Sequence, residues 1–237
     1  MYSFLKKHNF VLTSIATVIT LIIIITTIYL FLNEERIVNV ETTNFIKEWE
    51  VFNEKYDSNH NILKNLTIDN RINIKYMDPG EATDFIYNDT GLLFVGTPDD
   101  QESRIAIEVL IETCLANGVK DIYYIDISRY QTDWVLSDGV LKDYVYDEHY
   151  DDLLVALDDY LGVNNYIINV DGIEYDTNTK RVNMPNVFAI RKGKLVGNYR
   201  GIGVKDDEYV DVLSNTEKEN LIENYKELIL LTRNHNV

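Results

Sequence analysis

The densest run of reactive side-chain types in this chain is Pro98-Asp99-Asp100-Gln101-Glu102-Ser103-Arg104. Asp99, Asp100 and Glu102 stand at what reads as the start of a helix. There acids cap free backbone N–H groups and meet the positive end of the helix dipole, for about 0.3–1 kcal/mol each. The same carboxylates could hold a cationic ligand or a calcium ion, but their spacing lacks a calcium-loop pattern, so capping is the preferred reading. Ser103 has no histidine partner that would make it a nucleophile. The histidines (His8, His60, His149, His235) are scattered. His149 lies among acids but has no second histidine at helical spacing, so neither a metal site nor a cofactor is expected. The single cysteine, Cys114, excludes an intrachain disulfide. It falls in an apolar run with Ile107, Leu110 and Ile111, where a buried, inert thiol is expected.

The elements that must hold these groups follow from periodicity. Phe45, Trp49, Phe52 and Tyr56 share one face of a predicted helix starting at Asn44, and 57–70 reads as a loop or frayed connector. Ile72, Ile74 and Tyr76 alternate with polar residues as a strand does. Asp78-Pro79 opens a helix carrying Ala82, Phe85 and Ile86 inward. Leu92 to Val95 is a short continuous apolar run, expected to be a strand buried on both faces. A helix over about 101–117 follows, ended by Gly118, and then a buried strand over 122–127. Strand, helix, strand, helix, strand implies parallel pairing through right-handed crossovers. Residues 129–181 break the rhythm. They hold a helix with Tyr150, Leu153, Leu154, Leu157 and Leu161 on one side. After it, Ile167 to Tyr175 is expected to pair with the next segment through a turn at Asp176-Thr177-Asn178. Residues 187–190 and 195–199 make a tight hairpin around Arg191–Lys194. A last helix over about 216–232 carries a capping box from Thr216 to Glu219. The fold class is α/β: a central mixed sheet flanked by helices, with an inserted helical segment at about 129–181.

Ahead of this domain, Phe10 to Leu32 runs 23 residues without a charge. As a helix it is roughly 34 Å long, enough to cross a hydrocarbon core. It exceeds a secretory signal core, and no small-residue cleavage site follows, so an uncleaved signal anchor is expected. Lys6 and Lys7 precede it and Glu34-Glu35-Arg36 follow. The positive-inside bias therefore keeps 1–9 as a cytoplasmic tail, with 33–70 as stalk and amphipathic helix and 71–237 as an extracytoplasmic domain. The 205 residues after the span carry 20 basic and 39 acidic residues, net −19. So acidic a domain repels nucleic acid and anionic lipid headgroups, which excludes both as expected ligands.

Gly91-Leu92-Leu93-Phe94-Val95-Gly96-Thr97-Pro98, with Arg104 beyond it, Asp121-Ile122-Tyr123-Tyr124-Ile125, and Met184-Pro185-Asn186-Val187-Phe188-Ala189-Ile190-Arg191-Lys192-Gly193-Lys194-Leu195-Val196-Gly197 occur in that order. Together they resemble the thioredoxin-like proteins of Gram-positive bacteria, including those described as bacteriocin transport accessory proteins. The resemblance covers roughly 71–230 and implies a thioredoxin-like fold with Pro185 as its cis-proline. It also implies a peptide groove lined by Pro98, Asp99, Asp100, Gln101, Glu102, Ser103, Met184, Pro185 and Asn186. The chain departs from the family where its chemistry resides, because Asp100 and Ser103 stand at the two cysteine positions. Neither group forms a mixed disulfide, so no thiol–disulfide exchange, and no enzyme activity, is expected. What the resemblance leaves is a membrane-anchored, non-redox domain that binds an extended peptide or partner protein, with an accessory role in peptide export. The alternatives are a redox protein working through Cys114 and a purely structural subunit of a membrane complex.

Overall fold

The computed structural model describes residues 19–22, 24, 26, 39–58, 60–162, 164–203 and 210–233. The chain divides into two compact units, Met1–Val38 and Asn39–Val237. In the first, residues 19–22, 24 and 26 are helical, and the Thr26 hydroxyl donates to the Ile22 carbonyl at 2.8 Å. Most of the expected 10–32 span lies outside the described residues. Among the described residues no helix is long and apolar enough to cross a membrane.

The second unit is built on a five-stranded mixed sheet. In chain order its strands are β1 (Asn73–Tyr76), β2 (Gly91–Val95), β3 (Asp121–Ile125), β8 (Asn186–Ile190) and β9 (Leu195–Arg200). Across the sheet the order is β1-β3-β2-β8-β9. β3 runs parallel to both β1 and β2, as the alternation of strands and helices predicts. β8 is antiparallel to β2 and β9 antiparallel to β8. Because strand side chains alternate faces, the two sides of the sheet carry different sets of apolar residues. Ile74, Leu92, Phe94, Ile122, Tyr124, Val187 and Ala189 pack with helices α1 (Val40–Glu50), α3 (Gln101–Ala116) and α5 (Asn215–Arg233). Leu93, Val95, Ile125, Phe188 and Ile190 pack with α2 (Pro79–Asn88) and α4 (Tyr150–Leu157).

α2 starts where the sequence says it must. Pro79 holds its first turn, and Asp78 and Glu81 form a reciprocal capping box. α1 differs from expectation. It begins at Val40 and stops at Glu50, so Phe45 and Trp49 are buried while Tyr56 is 61% exposed. The aromatic spacing runs on beyond the helix because the chain reverses there, with Glu54 at φ 60°. The Thr42 hydroxyl of α1 accepts the Ile74 N–H at 2.9 Å, which satisfies a donor on the otherwise unpaired edge of β1. Nor is 57–70 a frayed connector, since Leu63, Leu66 and Ile68 are buried.

Residues 129–181 hold more order than an insert of one helix. β4 (Asp133–Ser137) pairs with β5 (Val140–Tyr144), a hairpin the sequence reading missed. β6 (Ile167–Val170) pairs with β7 (Ile173–Asp176) around Asp171-Gly172, not through a turn at 176–178. Asp138-Gly139 and Asp171-Gly172 both have positive φ at each residue (55° and 74°, 53° and 82°), the backbone a two-residue hairpin turn requires. α4 from the same region covers one face of the sheet through Leu153 and Leu157. The last helix is capped by Ser214 with Glu217, not by Thr216 with Glu219. The Ser214 N–H donates to Glu217 Oε2 at 2.7 Å, and the Glu217 N–H to Ser214 Oγ at 3.3 Å.

Candidate functional site

Val95 of β2 pairs with Asn186 of β8, so the two segments leaving that end of the sheet, Gly96–Asp100 and Met184–Pro185, lie side by side. The Met184–Pro185 peptide bond is cis. The Pro185 carbonyl accepts the Gly201 N–H at 2.8 Å. Asn186 is buried, its Oδ1 taking the Asn198 side-chain amide at 3.2 Å. Met184, half-buried, has a backbone N–H and C=O with no hydrogen-bond partner among the described residues. Gly96 fits only because it lacks a side chain, since a Cβ there would sit 2.6 Å from the Phe94 ring.

Across from Met184, α3 begins. Asp100 caps it, Oδ2 accepting the Ser103 N–H at 2.7 Å. Burial pushes the Asp100 carboxyl above its usual range, the hydrogen bonds from Ser103 pull it down, and the charges of Asp99 and Asp57 add to the rise. Asp99 is exposed, and its Oδ1 accepts the Thr97 hydroxyl at 2.7 Å. Glu102 is half-buried in the first turn. Asp126, just past the end of β3, is a fourth carboxylate in this neighbourhood. It accepts the Ser128 hydroxyl at 2.6 Å and Arg129 Nε at 2.8 Å. Burial raises its pKa, the Ser128 bonds oppose that, and Asp99 adds to it.

Five of the nine expected groove residues, Pro98, Gln101, Ser103, Pro185 and Asn186, are buried. Ser103 is fully buried, and Gln101 is 6% exposed. Gln101 works as a clasp: Oε1 accepts the Lys64 N–H at 2.7 Å, while Nε2 donates to the carbonyls of Val210 and Asp211 at 3.0 and 3.2 Å. Pro98 is buried, and its carbonyl is taken by Arg104 Nη1 at 2.9 Å. Of the expected groove residues, Asp99 is therefore exposed, and Asp100, Glu102 and Met184 are half-buried.

Arg104 is the residue whose role the sequence reading left open. It is fully buried and has no carboxylate partner among the described residues. Its guanidinium donates instead to Lys64 O at 2.6 Å, Trp49 O at 2.8 Å, Pro98 O, and Asn53 Oδ1 at 2.6 Å. Burial lowers its pKa to about 10, so it stays charged at neutral pH. The effect is to lay the 49–64 segment on the N-terminal half of α3. The signal in the sequence was an arginine directly before the apolar run Ile105-Ala106-Ile107.

Cys114 is fully buried, and burial pushes its thiol up to about 12, against a smaller opposing effect from Arg233. Among the described residues no cluster of His, Cys, Asp and Glu is placed to hold a metal ion. His149 Nδ1 lies 3.5 Å from Asp152 on an exposed surface. Comparison of the chain with protein-family models, with curated proteins and with solved structures finds no match in any of the three.

Proposed function

We propose that the unit Asn39–Val237 is a thioredoxin-like domain that binds rather than reacts, taking an extended peptide or an extended segment of a partner protein along Met184. The single observation that carries this reading is the unpaired N–H and C=O of Met184, set beside the N-terminus of α3. An extended chain pairs with such a backbone by the same hydrogen bonds that add a strand to a sheet. Further support comes from the β1-β3-β2-β8-β9 order, with two helices on one face and three on the other. The buried Cys114 supports the absence of thiol exchange and counts against a redox role for it. Tethering by the apolar 10–32 segment, with the domain outside the membrane, rests on the hydropathy and charge of the sequence. An accessory role in peptide export rests on the family resemblance.

Hydrogen exchange at the Met184 amide tests the reading. The full-length chain in detergent micelles is measured with and without extended peptides selected from a displayed random library. Selected peptides should slow that amide and crosslink to a photoreactive residue placed at Asp99. Binders that leave Met184 unprotected, or rapid reduction of insulin disulfides by the chain, refute it.

A further inference from the structure

Several cations among the described residues are ion-paired. Lys64 meets Glu108, Lys75 meets Asp121, Arg129 meets Asp126, Lys180 meets Asp158 and Lys218 meets Glu112. Arg104 has its four oxygen acceptors. Arg181 is different. Among the described residues it makes no ion pair and no hydrogen bond, and its Nε is buried without an acceptor. The guanidinium lies over the Tyr166 ring at 4.4 Å, which fixes its plane and leaves the edge of the fork to take a ligand. It lines a cavity of about 20 Å³ together with Trp134, Tyr150, Tyr166, Asp151 and Lys180. That volume admits an oxygen-sized group. The Tyr150 hydroxyl is also buried with no hydrogen bond of normal geometry, and Tyr150 is only 2% exposed. Burial holds its phenol up to about 12, so it remains a donor, with the Val182 backbone and Arg181 close enough to oppose the rise.

We infer that Arg181, held on Tyr166 and backed by Tyr150, is a carboxylate-binding subsite for the extended peptide that pairs with Met184. This rests on the reading of Met184 given above. In a cavity of that size the Arg181 Nε–H, which has no acceptor, takes one carboxylate oxygen, and the Tyr150 O–H supplies a further donor. Asp151 lines the same cavity and opposes any anion there, so a bound carboxylate must contact the fork directly to offset that repulsion. Arg181 precedes Met184 by three residues, which puts their Cα atoms at most about 11 Å apart. The segment between is fixed by the buried Val182, whose carbonyl accepts Gln131 Nε2 at 2.9 Å. The carboxylate has two possible sources, a peptide C-terminus or an Asp or Glu side chain.

The test uses the full-length chain, labelled with 15N-arginine, in detergent micelles. The probes are acetate, N-acetyl-tetra-alanine as free acid, the same peptide as its C-terminal amide, and N-acetyl-Ala-Glu-Ala-Ala-amide. Acetate and both carboxylate-bearing peptides should shift the Arg181 Nε–H resonance. At least one of those peptides should bind tenfold or more tightly than the all-alanine amide, and the stronger one identifies the source. Arg181→Gln should bring all three peptides within twofold, and Arg181→Lys should restore part of the preference. Unchanged thermal melting of both variants shows that the fold is intact. An Arg181 Nε–H that responds to neither acetate nor peptides, or a preference that survives Arg181→Gln, overturns the inference. If Met184 responds equally to acid and amide while Arg181 stays silent, the groove stands and the carboxylate subsite falls. If Arg181 responds to acetate while no peptide reaches Met184, the groove reading falls and takes this inference with it.

Discussion

Arg104→Met removes a buried cation whose work is entirely local, so its consequence can be worked from the structure. The guanidinium makes four hydrogen bonds of 2.6–2.9 Å, three to backbone carbonyls and one to Asn53 Oδ1. Bonds with a charged partner contribute about 1.5–3 kcal/mol each, giving a gross loss of about 6–12 kcal/mol. Part of this returns, because a buried charge is itself disfavoured, as the fall of its pKa to about 10 records. A net destabilisation of about 3–6 kcal/mol is expected, a large share of the stability of a domain this size. Urea denaturation followed by tryptophan fluorescence measures it. Native-state hydrogen exchange should also quicken across residues 49–66 well before it does in β2 or β3. Arg104→Lys keeps the charge but cannot reach four oxygens at once, so it should recover less than half of the loss. A loss below about 1 kcal/mol for Arg104→Met, or exchange that quickens uniformly, would refute the anchoring argument.

Asp100→Asn keeps an oxygen on the Ser103 N–H while removing a charge that burial disfavours. A carboxyl whose folded pKa is raised loses stability as pH rises from the unfolded value through the folded one. Wild type and variant should therefore converge below pH 3.8, with wild type falling behind as pH rises above it. Parallel stability curves from pH 3 to 7 would contradict this. Cys114 raises the same issue at alkaline pH: its thiol titrates at about 12 rather than 9.0, so stability should fall between these values and the slope should flatten in Cys114→Val. Alkylation of native Cys114 at pH 8 should run about a thousandfold slower than that of an unfolded control, and rapid labelling would revive a redox role. Gly193→Ala places a Cβ 2.1 Å from the Tyr87 carbonyl oxygen at φ 71° and should cost about 3 kcal/mol or more. Gly139→Ala, at φ 74° in open space, should cost only about 1 kcal/mol, and equal losses in thermal melts would show that the close approach to Tyr87 is unimportant.

Local chemistry was legible in the sequence wherever a few neighbouring residues settle a conformation. Asp78-Pro79 with Glu81 starts α2, Asp100 caps α3, and the continuous apolar run Leu92–Val95 is a strand buried on both faces, because capping and strand burial depend on residues close in sequence. The Asp-Gly pairs at 138–139 and 171–172 carried the hairpin signal too and were passed over. Turns at both were written in the chain. The alternation of strands and helices set the parallel pairing of β3 with β1 and β2, and the spacing of Ile107, Leu110 and Ile111 set the burial of Cys114.

Tertiary structure alone decided what each of those groups meets. Periodicity placed Gln101 and Ser103 on a helix start, but only the packing of 49–66 and 210–211 over that start turned them inward. Arg104 finds its oxygens 6 to 55 residues away, and Arg181 finds the Tyr166 ring from the far side of a hairpin. The sequence determined the helices and strands of the central sheet, the absence of a cysteine pair, and the strongly acidic charge of the domain. Which polar side chains are spent on holding the fold, and which are left for a ligand, depended on contacts between distant segments. A one-dimensional pattern records spacing along the chain, and such contacts form only after the sheet and its helices have closed around them.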